Sequence, residues 1–190
     1  QDDYAQRGSR LLAIAVRSMD PERVEIGIED ERVLTLVGFC AFVDPPKRDA
    51  AEAVKNLMAR GIGIKVLSGD HAAVVGHVAS AVGISAERVM TGEEIAELTD
   101  HALAARIKDI DLFARIDPDQ KRRIIRALRQ HGHVVGFLGD GVNDAPALHA
   151  AHVGISVAGA TEVARSAADM LLPAPDLSVL ADGVVEGRRT

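Results

Sequence analysis

From residue 61 onward, short runs of apolar residues alternate with longer stretches in which apolar positions recur at intervals of three and four residues. Short apolar runs are typical of buried strands, and the longer pattern is typical of amphipathic helices. Strands that alternate with helices predict a Rossmann-like α/β fold, a parallel sheet with helices on both faces. The predicted strands are 62–67, 88–90, 112–115, 134–138, 153–157 and 170–172, and the predicted helices are 48–59, 72–82, 92–108 with a break near Thr99, 118–131, 145–151, 161–168 and 177–189.

The first part of the chain has a different pattern. Two apolar runs, 10–17 and 33–43, predict strands that are separated by a polar stretch at 19–31. Asp44-Pro45-Pro46 then follows, and the two prolines supply no backbone donors and hold the residue before them extended. We therefore predict two units, 1–43 and 44–190, joined by a stiff hinge.

The composition fits a folded domain and excludes several classes of function. Hydrophobic residues make up 47% and charged residues 26%, the balance of a globular domain. The formal net charge is −6 and no basic stripe with aromatic residues occurs, so nucleic-acid binding has little support. Because Cys40 is the single cysteine, an internal disulfide and a thiolate zinc site are excluded.

The strongest candidate for chemistry is Gly139-Asp140-Gly141-Val142-Asn143-Asp144, directly after a predicted strand. A carboxylate at the carboxyl end of a parallel strand lies where open α/β sheets bind ligands. Asp140 is a hard oxygen donor suited to Mg²⁺, and Asn143 could donate a hydrogen bond to a phosphate oxygen. The alternative is a glycine-rich turn in which Asn143 or Asp144 caps the next helix.

A second candidate, Ser68-Gly69-Asp70, also follows a predicted strand. A hydroxyl and a glycine amide at the start of a helix form a small pocket for an anion, which the helix dipole favours. The alternative is an ordinary loop between strand and helix in which Asp70 is the N-cap.

A third candidate is Lys121, in the first turn of the helix predicted after Asp117 and Pro118. Asp117 and Gln120 have the spacing of a capping box. A cation in the first turn opposes the helix macrodipole by about 0.3–1 kcal/mol, so its placement indicates a nearby anion. The alternative is a surface lysine that the neighbouring aspartates tolerate.

Together, the three candidates predict one site for phosphoryl transfer. A hydroxyl with a backbone amide, a lysine and a magnesium-binding aspartate all follow strands or begin helices of one sheet. Phosphoryl transfer needs such a set, because metal and cation neutralise the phosphoryl oxygens while neutral donors orient them.

The nucleophile is the missing component. Covalent phosphoryl transfer of this kind needs an aspartate, typically at the end of a central strand. Asp44 is the upstream candidate that ends a long predicted strand, but Pro45 and Pro46 remove the backbone N–H groups that a phosphate loop would use. We therefore exclude Asp44 as the nucleophile.

Four segments resemble motifs of the P-type ATPases, members of the haloacid dehalogenase superfamily. The run 139–148, Gly-Asp-Gly-Val-Asn-Asp-Ala-Pro-Ala-Leu, resembles their hinge motif, and Ser68-Gly69-Asp70 resembles their Thr-Gly-Asp. Asp44-Pro45-Pro46-Lys47 is similar to their Asp-Pro-Pro-Arg element, and the segment 113–121 to the one that carries their phosphate-binding lysine. Because the four occur in the family's order, the chain is identified as a member. The stretch 132–172 resembles bacterial magnesium-transporting pumps in particular.

The resemblance implies a role for each matching residue. Asp140 would bind the catalytic Mg²⁺, with Asp144 in support. The groups that would hold the phosphoryl are Ser68, Gly69, Lys121 and Asn143. The groups on the nucleotide side would be Asp44, Lys47 and Arg115, with Asp70 orienting its neighbours. Lys47 replaces an arginine of the family, so a bidentate fork becomes a point charge. Ser68 replaces a threonine and keeps the hydroxyl.

The resemblance also implies a parent protein. It would be an integral membrane protein of the bacterial inner membrane that couples ATP hydrolysis, through an aspartyl-phosphate, to transport of a divalent cation, magnesium. Mg²⁺ and ATP would be its cofactors. This chain would be a cytoplasmic piece of it, with 1–43 a remnant of the nucleotide-binding domain and 44–190 a partial phosphorylation domain. Its partners would be the missing nucleotide, actuator and membrane domains, without nucleic acid.

The family's Asp-Lys-Thr-Gly-Thr segment does not occur in the sequence. In the superfamily fold its strand lies centrally, between the strands that end at Ser68 and Gly139, so we predict an incomplete sheet. We expect the chain alone to be inactive and expect either a groove at this place or a segment or chain that fills it. Unpaired strand edges recruit partners, which favours self-association. The alternatives are a free-standing phosphatase of the superfamily and a non-catalytic module that binds Mg²⁺ or nucleotide.

Overall fold

The computed structural model describes residues 8–20, 25–43, 45–174 and 176–189. Asp44 lies outside the described residues. The strands are β1 (Ser9–Val16), β2 (Thr35–Val43), β3 (Val66–Leu67), β4 (Val89–Thr91), β5 (Leu112–Ala114), β6 (Gly136–Leu138), β7 (Val153–Val157) and β8 (Met170–Leu172). The α-helices are α1 (Ala50–Ala59), α2 (Ala72–Ala81), α3 (Gly92–Glu97), α4 (Asp100–Ile107), α5 (Pro118–Gln130), α6 (Ala145–Ala150), α7 (Glu162–Ala167) and α8 (Ser178–Gly187).

β1 and β2 form a two-stranded antiparallel sheet. Their register runs from Ser9 opposite Val43 to Val16 opposite Thr35, with an irregularity between Ile14 and Ala15. Most of the apolar side chains of this ribbon are exposed. A ribbon of two strands is marginal by itself. The predicted division into units at the hinge stays a prediction.

The remaining strands form two parallel sheets of three, in the orders β3-β5-β4 and β6-β7-β8. Val66 lies opposite Leu112 in the first sheet, and Gly136 lies opposite Val153 in the second. β3 and β6 are the terminal strands of their sheets and do not pair with each other. The α/β class is confirmed, and the interruption falls between the two strands where the sequence predicts an absent central strand.

One core serves both parallel sheets. Phe113 from the first sheet and Phe137 from the second belong to the same cluster of buried side chains, together with Ile124 of α5 and Leu148 of α6. Phe113, Ile124 and Leu148 are fully buried. Helices α5 and α6 therefore join the two sheets by apolar packing. Among the described residues, no helix has both the length and the apolar character to cross a membrane.

Local side-chain chemistry sets most helix starts among the described α-helices. The predicted break near Thr99 is confirmed, because α3 ends at Glu97 and the Thr99 hydroxyl accepts a hydrogen bond from Ala102 N (3.2 Å) to begin α4. The predicted capping box of α5 is confirmed as well, with Gln120 N donating to the Asp117 carboxylate (2.7 Å). Each of these hydrogen bonds pairs a backbone N–H group that the start of a helix leaves without a partner.

The predicted strand 62–67 is shorter in the structure, where β3 spans only Val66–Leu67. β5, its one strand neighbour, begins only at Leu112, so residues before Val66 have no strand beside them. Lys65 instead sends its ammonium to the Ile110 carbonyl and to Asp111. The strand is short because β5, the strand that pairs with it, begins only opposite Val66.

Gly92 lets the start of α3 lie directly on the loop that follows β5. A Cβ atom at Gly92 would lie 2.2 Å from the Arg115 carbonyl oxygen and 2.7 Å from Oε1 of Gln120. The Gln120 amide donates to the Gly92 carbonyl (2.8 Å). Arg115 itself has a φ of 52°, in the left-handed region. The contact holds the loop between β5 and α5, which carries the predicted site residue Arg115.

We expect Gly92→Ala to destabilise the domain by about 2–3 kcal/mol, because the obstructing atom belongs to the backbone and cannot rotate away. Gly76→Ala in α2 is the matched control. A Cβ there would meet only the Ala86 side chain, at 3.7 Å, and alanine in a helix interior is favoured by about 0.5–1 kcal/mol. Urea unfolding measures both free energies. Equal stabilities of the two variants would contradict the close approach.

Candidate functional site

Ser68 and Asp70 form a closed hydrogen-bonded turn directly after β3. The Ser68 hydroxyl donates to Oδ2 of Asp70 (3.1 Å), and Asp70 N donates to the same hydroxyl oxygen (3.1 Å). The N-cap of α2 is His71, whose Nδ1 accepts from Ala73 N (3.3 Å). The alternative in which Asp70 caps this helix is therefore wrong, and its carboxylate faces Ser68 instead.

The loop after β5 is bonded to the loop after β3. Arg115 N donates to the Asp70 carbonyl (2.9 Å), and Ile116 N donates to the Ser68 carbonyl (3.2 Å). Ser68 N in turn donates to the Phe113 carbonyl (3.0 Å). These bonds continue the parallel pairing of β3 and β5 beyond their carboxyl ends. Arg115 is thereby placed beside the Ser68 turn, with its side chain exposed.

Lys121 forms a polar connection between the two halves of the domain. Its Nζ lies 2.7 Å from Oδ1 of Asp144, and the two side chains are only 12% and 13% exposed. The alternative of a surface lysine is therefore wrong. The anion that its placement in the first turn predicts is present in the chain, as the carboxylate of Asp144.

Asp144 folds back onto the glycine-rich loop that follows β6. Its Oδ2 accepts hydrogen bonds from Asp140 N (3.2 Å) and Gly141 N (3.1 Å). Although Asp144 occupies the N-cap position of α6, its side chain makes no capping bond. Gly139 is required here, because a Cβ atom would lie 2.6 Å from Cβ of Asp144.

The other predicted site residues are more exposed. Asn143 lies in the 3-10 helix Val142–Asp144, and Asp140 precedes it on the same loop. The carboxylate of Asp140 accepts no hydrogen bond from the described residues. Lys47 precedes α1 and is exposed, and no hydrogen bond or ion pair of the described part of the chain joins its side chain to the loops. Hydrogen bonds thus join the turn of Ser68, Gly69 and Asp70 to the loop of Arg115. The ion pair joins Lys121 to the loop of Asp140, Asn143 and Asp144.

The carboxylates of the glycine-rich loop fit a magnesium ion whose remaining ligands are water and phosphate oxygens. Within the described ranges, no group of three or more His, Cys, Asp or Glu side chains could hold a metal. Both oxygens of Asp144 already accept hydrogen bonds or an ion pair, whereas those of Asp140 face solvent. Mg²⁺ in proteins often binds one or two carboxylates and completes its octahedron with water and phosphate oxygens. Asp140 can be such a ligand, and Asp144 fits the supporting position.

Residues 5–152 match the family model described as haloacid dehalogenase-like hydrolase. The chain belongs to this family. It is 47% identical over 189 residues to magnesium-transporting ATPase, P-type 1, of Salmonella typhimurium and 46% identical to the protein of that name from Escherichia coli K12. Each match covers 100% of this chain and 21% of the relative, so the chain spans about a fifth of their length.

Proteins with lower sequence identity to this chain are also cation-transporting ATPases. The cation-transporting ATPase pma1 of Synechocystis is 38% identical over 192 residues, which is 98% of this chain and 21% of the relative. The crystal structure of a zinc-transporting PIB-type ATPase in the E2.Pi state superposes with a TM-score of 0.66 at 24% identity. The superposition covers 99% of this chain and 24% of the zinc-transporting ATPase chain. This likeness supports the haloacid dehalogenase-like fold.

Two hydroxyls of this haloacid dehalogenase-like domain reach the glycine-rich loop and are not singled out by the sequence. Ser156 in β7 donates to the Gly139 carbonyl (2.8 Å), and Thr161 before α7 donates to the Asp140 carbonyl (3.2 Å). Both lie on or after the strand that neighbours β6. The order of the parallel strands would have identified them, because the loops after adjacent parallel strands lie side by side.

We expect Lys121→Met to lower the free energy of unfolding by about 3 kcal/mol, because the carboxylate of Asp144 stays buried without its cation. Arg122→Met, one residue further along α5, is the matched control. Its pair with Asp119 has side chains that are 39% and 76% exposed, so its loss costs less than about 1 kcal/mol. Urea unfolding measures the free energy of unfolding of both variants. An effect of Lys121→Met no larger than that of Arg122→Met would contradict the joining role of the pair.

Proposed function

We propose that this chain is the phosphorylation-domain segment of a P-type ATPase that couples ATP hydrolysis, through an aspartyl-phosphate, to transport of a divalent cation, magnesium. The observation that carries the proposal is the Lys121–Asp144 ion pair at 2.7 Å, whose carboxylate also accepts the amides of Asp140 and Gly141 in the glycine-rich loop. Phosphoryl transfer requires such a cation and such a metal-binding carboxylate at one place. The 47% identity to a magnesium-transporting ATPase supports the choice of ion.

In the proposed mechanism Lys121 is held ready before the phosphoryl group arrives. A lysine ammonium has three donors, and Asp144 occupies one of them in the described structure. The two others are left for phosphoryl oxygens, so that Lys121 can neutralise charge there without leaving its pair. Donors that are fixed in advance lower the cost of reorganisation during the reaction.

Asp140 is the proposed ligand of magnesium, and Asp144 holds the loop on which Asp140 lies. A bound Mg²⁺ supplies positive charge beside the phosphoryl oxygens. The neutral donors proposed for the same group are the hydroxyl of Ser68, the amide of Gly69 and the side chain of Asn143. In the described structure the Ser68 hydroxyl donates its one proton to Asp70 (3.1 Å). We propose that Asp70 holds Ser68 in place and that the hydroxyl turns its proton to a phosphoryl oxygen when that group binds.

The proposed nucleotide contacts lie beside this centre. Arg115 follows β5 and projects an exposed guanidinium next to the Ser68 turn, where it can reach an anionic nucleotide. Lys47 and Asp44 belong to the predicted hinge. A lysine at this position offers a point charge in place of the fork that an arginine would offer, so we expect a weaker grip on phosphate.

The remaining parts of the proposed pump belong to the same polypeptide. The relatives are about five times as long as this chain, since it covers 21% of them. We propose that the other segments supply the nucleotide, actuator and membrane domains and, between β3 and β6, the strand with the phosphorylated aspartate. The parent protein is then a bacterial inner-membrane protein with this domain on the cytoplasmic side. Alone, the chain would form no phosphoenzyme, and its terminal strands would favour self-association.

A chimera tests the proposal. The matching 189 residues of the Salmonella magnesium-transporting ATPase are replaced by this chain, and membranes are incubated with radiolabelled ATP. We expect an acid-stable phosphoenzyme and restored growth at low magnesium in a transport-deficient strain. Asp140→Asn should lower phosphoenzyme formation by about 100-fold or more, because the metal ligand loses its charge.

Asp109→Asn is the control for this chimera, because Asp109 is an exposed carboxylate just before β5, away from the carboxyl ends of the strands. It should leave phosphorylation unchanged at equal protein level in the membrane. Equal phosphorylation of the Asp109 and Asp140 variants would contradict the proposed metal ligand. A chimera without any phosphoenzyme would favour the non-catalytic module or the free-standing phosphatase.

A further inference from the structure

The N–H and C=O groups of Gly139 and Asp140 are all hydrogen-bonded. Gly139 N donates to the Ile155 carbonyl (3.0 Å), and the Gly139 carbonyl accepts from the fully buried hydroxyl of Ser156 (2.8 Å). Asp140 N donates to Oδ2 of Asp144 (3.2 Å). The Asp140 carbonyl accepts from both Thr161 N (3.0 Å) and the Thr161 hydroxyl (3.2 Å). The side chain of Asp140, in contrast, is exposed and has no hydrogen bond from the described residues.

Because only the main chain of Asp140 is hydrogen-bonded within the described residues, the backbone is what orients its carboxylate. The flanking peptide groups fix the Cα–Cβ direction of Asp140, and this direction limits the positions that its carboxylate can reach by rotation about the side-chain bonds. Metal sites depend on groups that orient the ligands without touching the metal, and losing one typically costs about 10–100-fold in affinity. The groups that hold the Asp140 peptides are therefore candidates for such a role.

Thr161 differs from the other three partners because its hydroxyl makes two bonds in opposite senses. It accepts a hydrogen bond from Ala164 N (3.3 Å), which makes it the N-cap of α7, and it donates to the Asp140 carbonyl. The cap bond leaves the hydroxyl proton free to point to the carbonyl. The start of α7 and the main chain of Asp140 are thus connected through one oxygen atom.

We propose that Thr161 is a positioning residue for cation binding by Asp140. This inference rests on the function proposed above, in which Asp140 binds magnesium. The Thr161 hydroxyl and amide fix the peptide that follows Asp140, and the fixed peptide directs the carboxylate outward. The hydroxyl acts through Asp140 and does not itself touch the ion.

Binding of Mg²⁺ alone to the ¹⁵N-labelled chain tests the inference, with the amide shifts of Asp140 and Gly141 as the readout. Thr161→Val keeps the amide and the shape of the side chain but removes the hydroxyl. We expect its dissociation constant for Mg²⁺ to rise about ten-fold, while Thr161→Ser, which keeps the hydroxyl, stays within about two-fold of the wild type.

Thr99→Val is the matched control. Thr99 caps α4 with the same type of bond, to Ala102 N at 3.2 Å, and has no contact with Asp140. Loss of a cap lowers the stability of both valine variants. Only the Thr161 variant should change the dissociation constant for Mg²⁺ at a temperature at which all the proteins are folded.

The outcomes separate the two proposals. If the wild type binds Mg²⁺ and Asp140→Asn abolishes the binding, but Thr161→Val binds as tightly as Thr99→Val, the inference about Thr161 is wrong and the proposed site stands. If Asp140→Asn does not alter binding, the proposed magnesium ligand fails and the inference fails with it. If Thr161→Val does not fold, amide hydrogen exchange of the wild type tests the inference instead. Mg²⁺ should then slow exchange of the Thr161 amide, and unchanged exchange would overturn the inference.

Discussion

The ion pair between Lys121 and Asp144 is the interaction on which the arrangement of this domain depends. Lys121 belongs to the helix that follows the first parallel sheet, and Asp144 belongs to the loop after β6, the first strand of the second. The terminal strands β3 and β6 share no hydrogen bonds, so the two sheets are joined by apolar packing around α5 and α6 and by polar contacts such as this ion pair and the bond from Arg129 to the Ala150 carbonyl (2.6 Å). The same carboxylate accepts the amides of Asp140 and Gly141, so the lysine of the other half is connected through Asp144 to the glycine-rich loop.

Such a pair is poorly explained by stability alone. Burial of two opposite charges costs solvation free energy that their attraction often does no more than offset, and an apolar pair of the same volume would serve a core as well. Lys121 in addition lies in the first turn of α5, where the helix dipole disfavours a cation. Asp144 compensates for this placement. The arrangement is understandable if a further anion, a phosphoryl group, completes the environment of the lysine. The charges then serve binding, and the apolar core around Ile124 and Leu148 serves the fold.

The sequence predicts local features well and long-range features incompletely. The capping box of α5 and the break at Thr99 follow from side chains within four residues of each other, and both are confirmed. Sequence motifs also led to Asp140 and Lys121. The partners of these residues could not be predicted, because they depend on which strands are neighbours: Asp144 folds back instead of capping α6, and the hydroxyls of Ser156 and Thr161 reach across from the strand next to β6. The short β3 has the same origin, since its length depends on a strand 45 or more positions away in the chain.

The central claim is that three loops, each after a different strand, form one binding place for a phosphoryl group and its cation. A titration of the ¹⁵N-labelled chain with inorganic phosphate in the presence of Mg²⁺ tests it most directly. The account predicts that the amides of Ser68 and Gly69, of Lys121, and of Asp140 and Gly141 shift together and give one common dissociation constant. Shifts confined to a single loop, or separate constants for the loops, would contradict it.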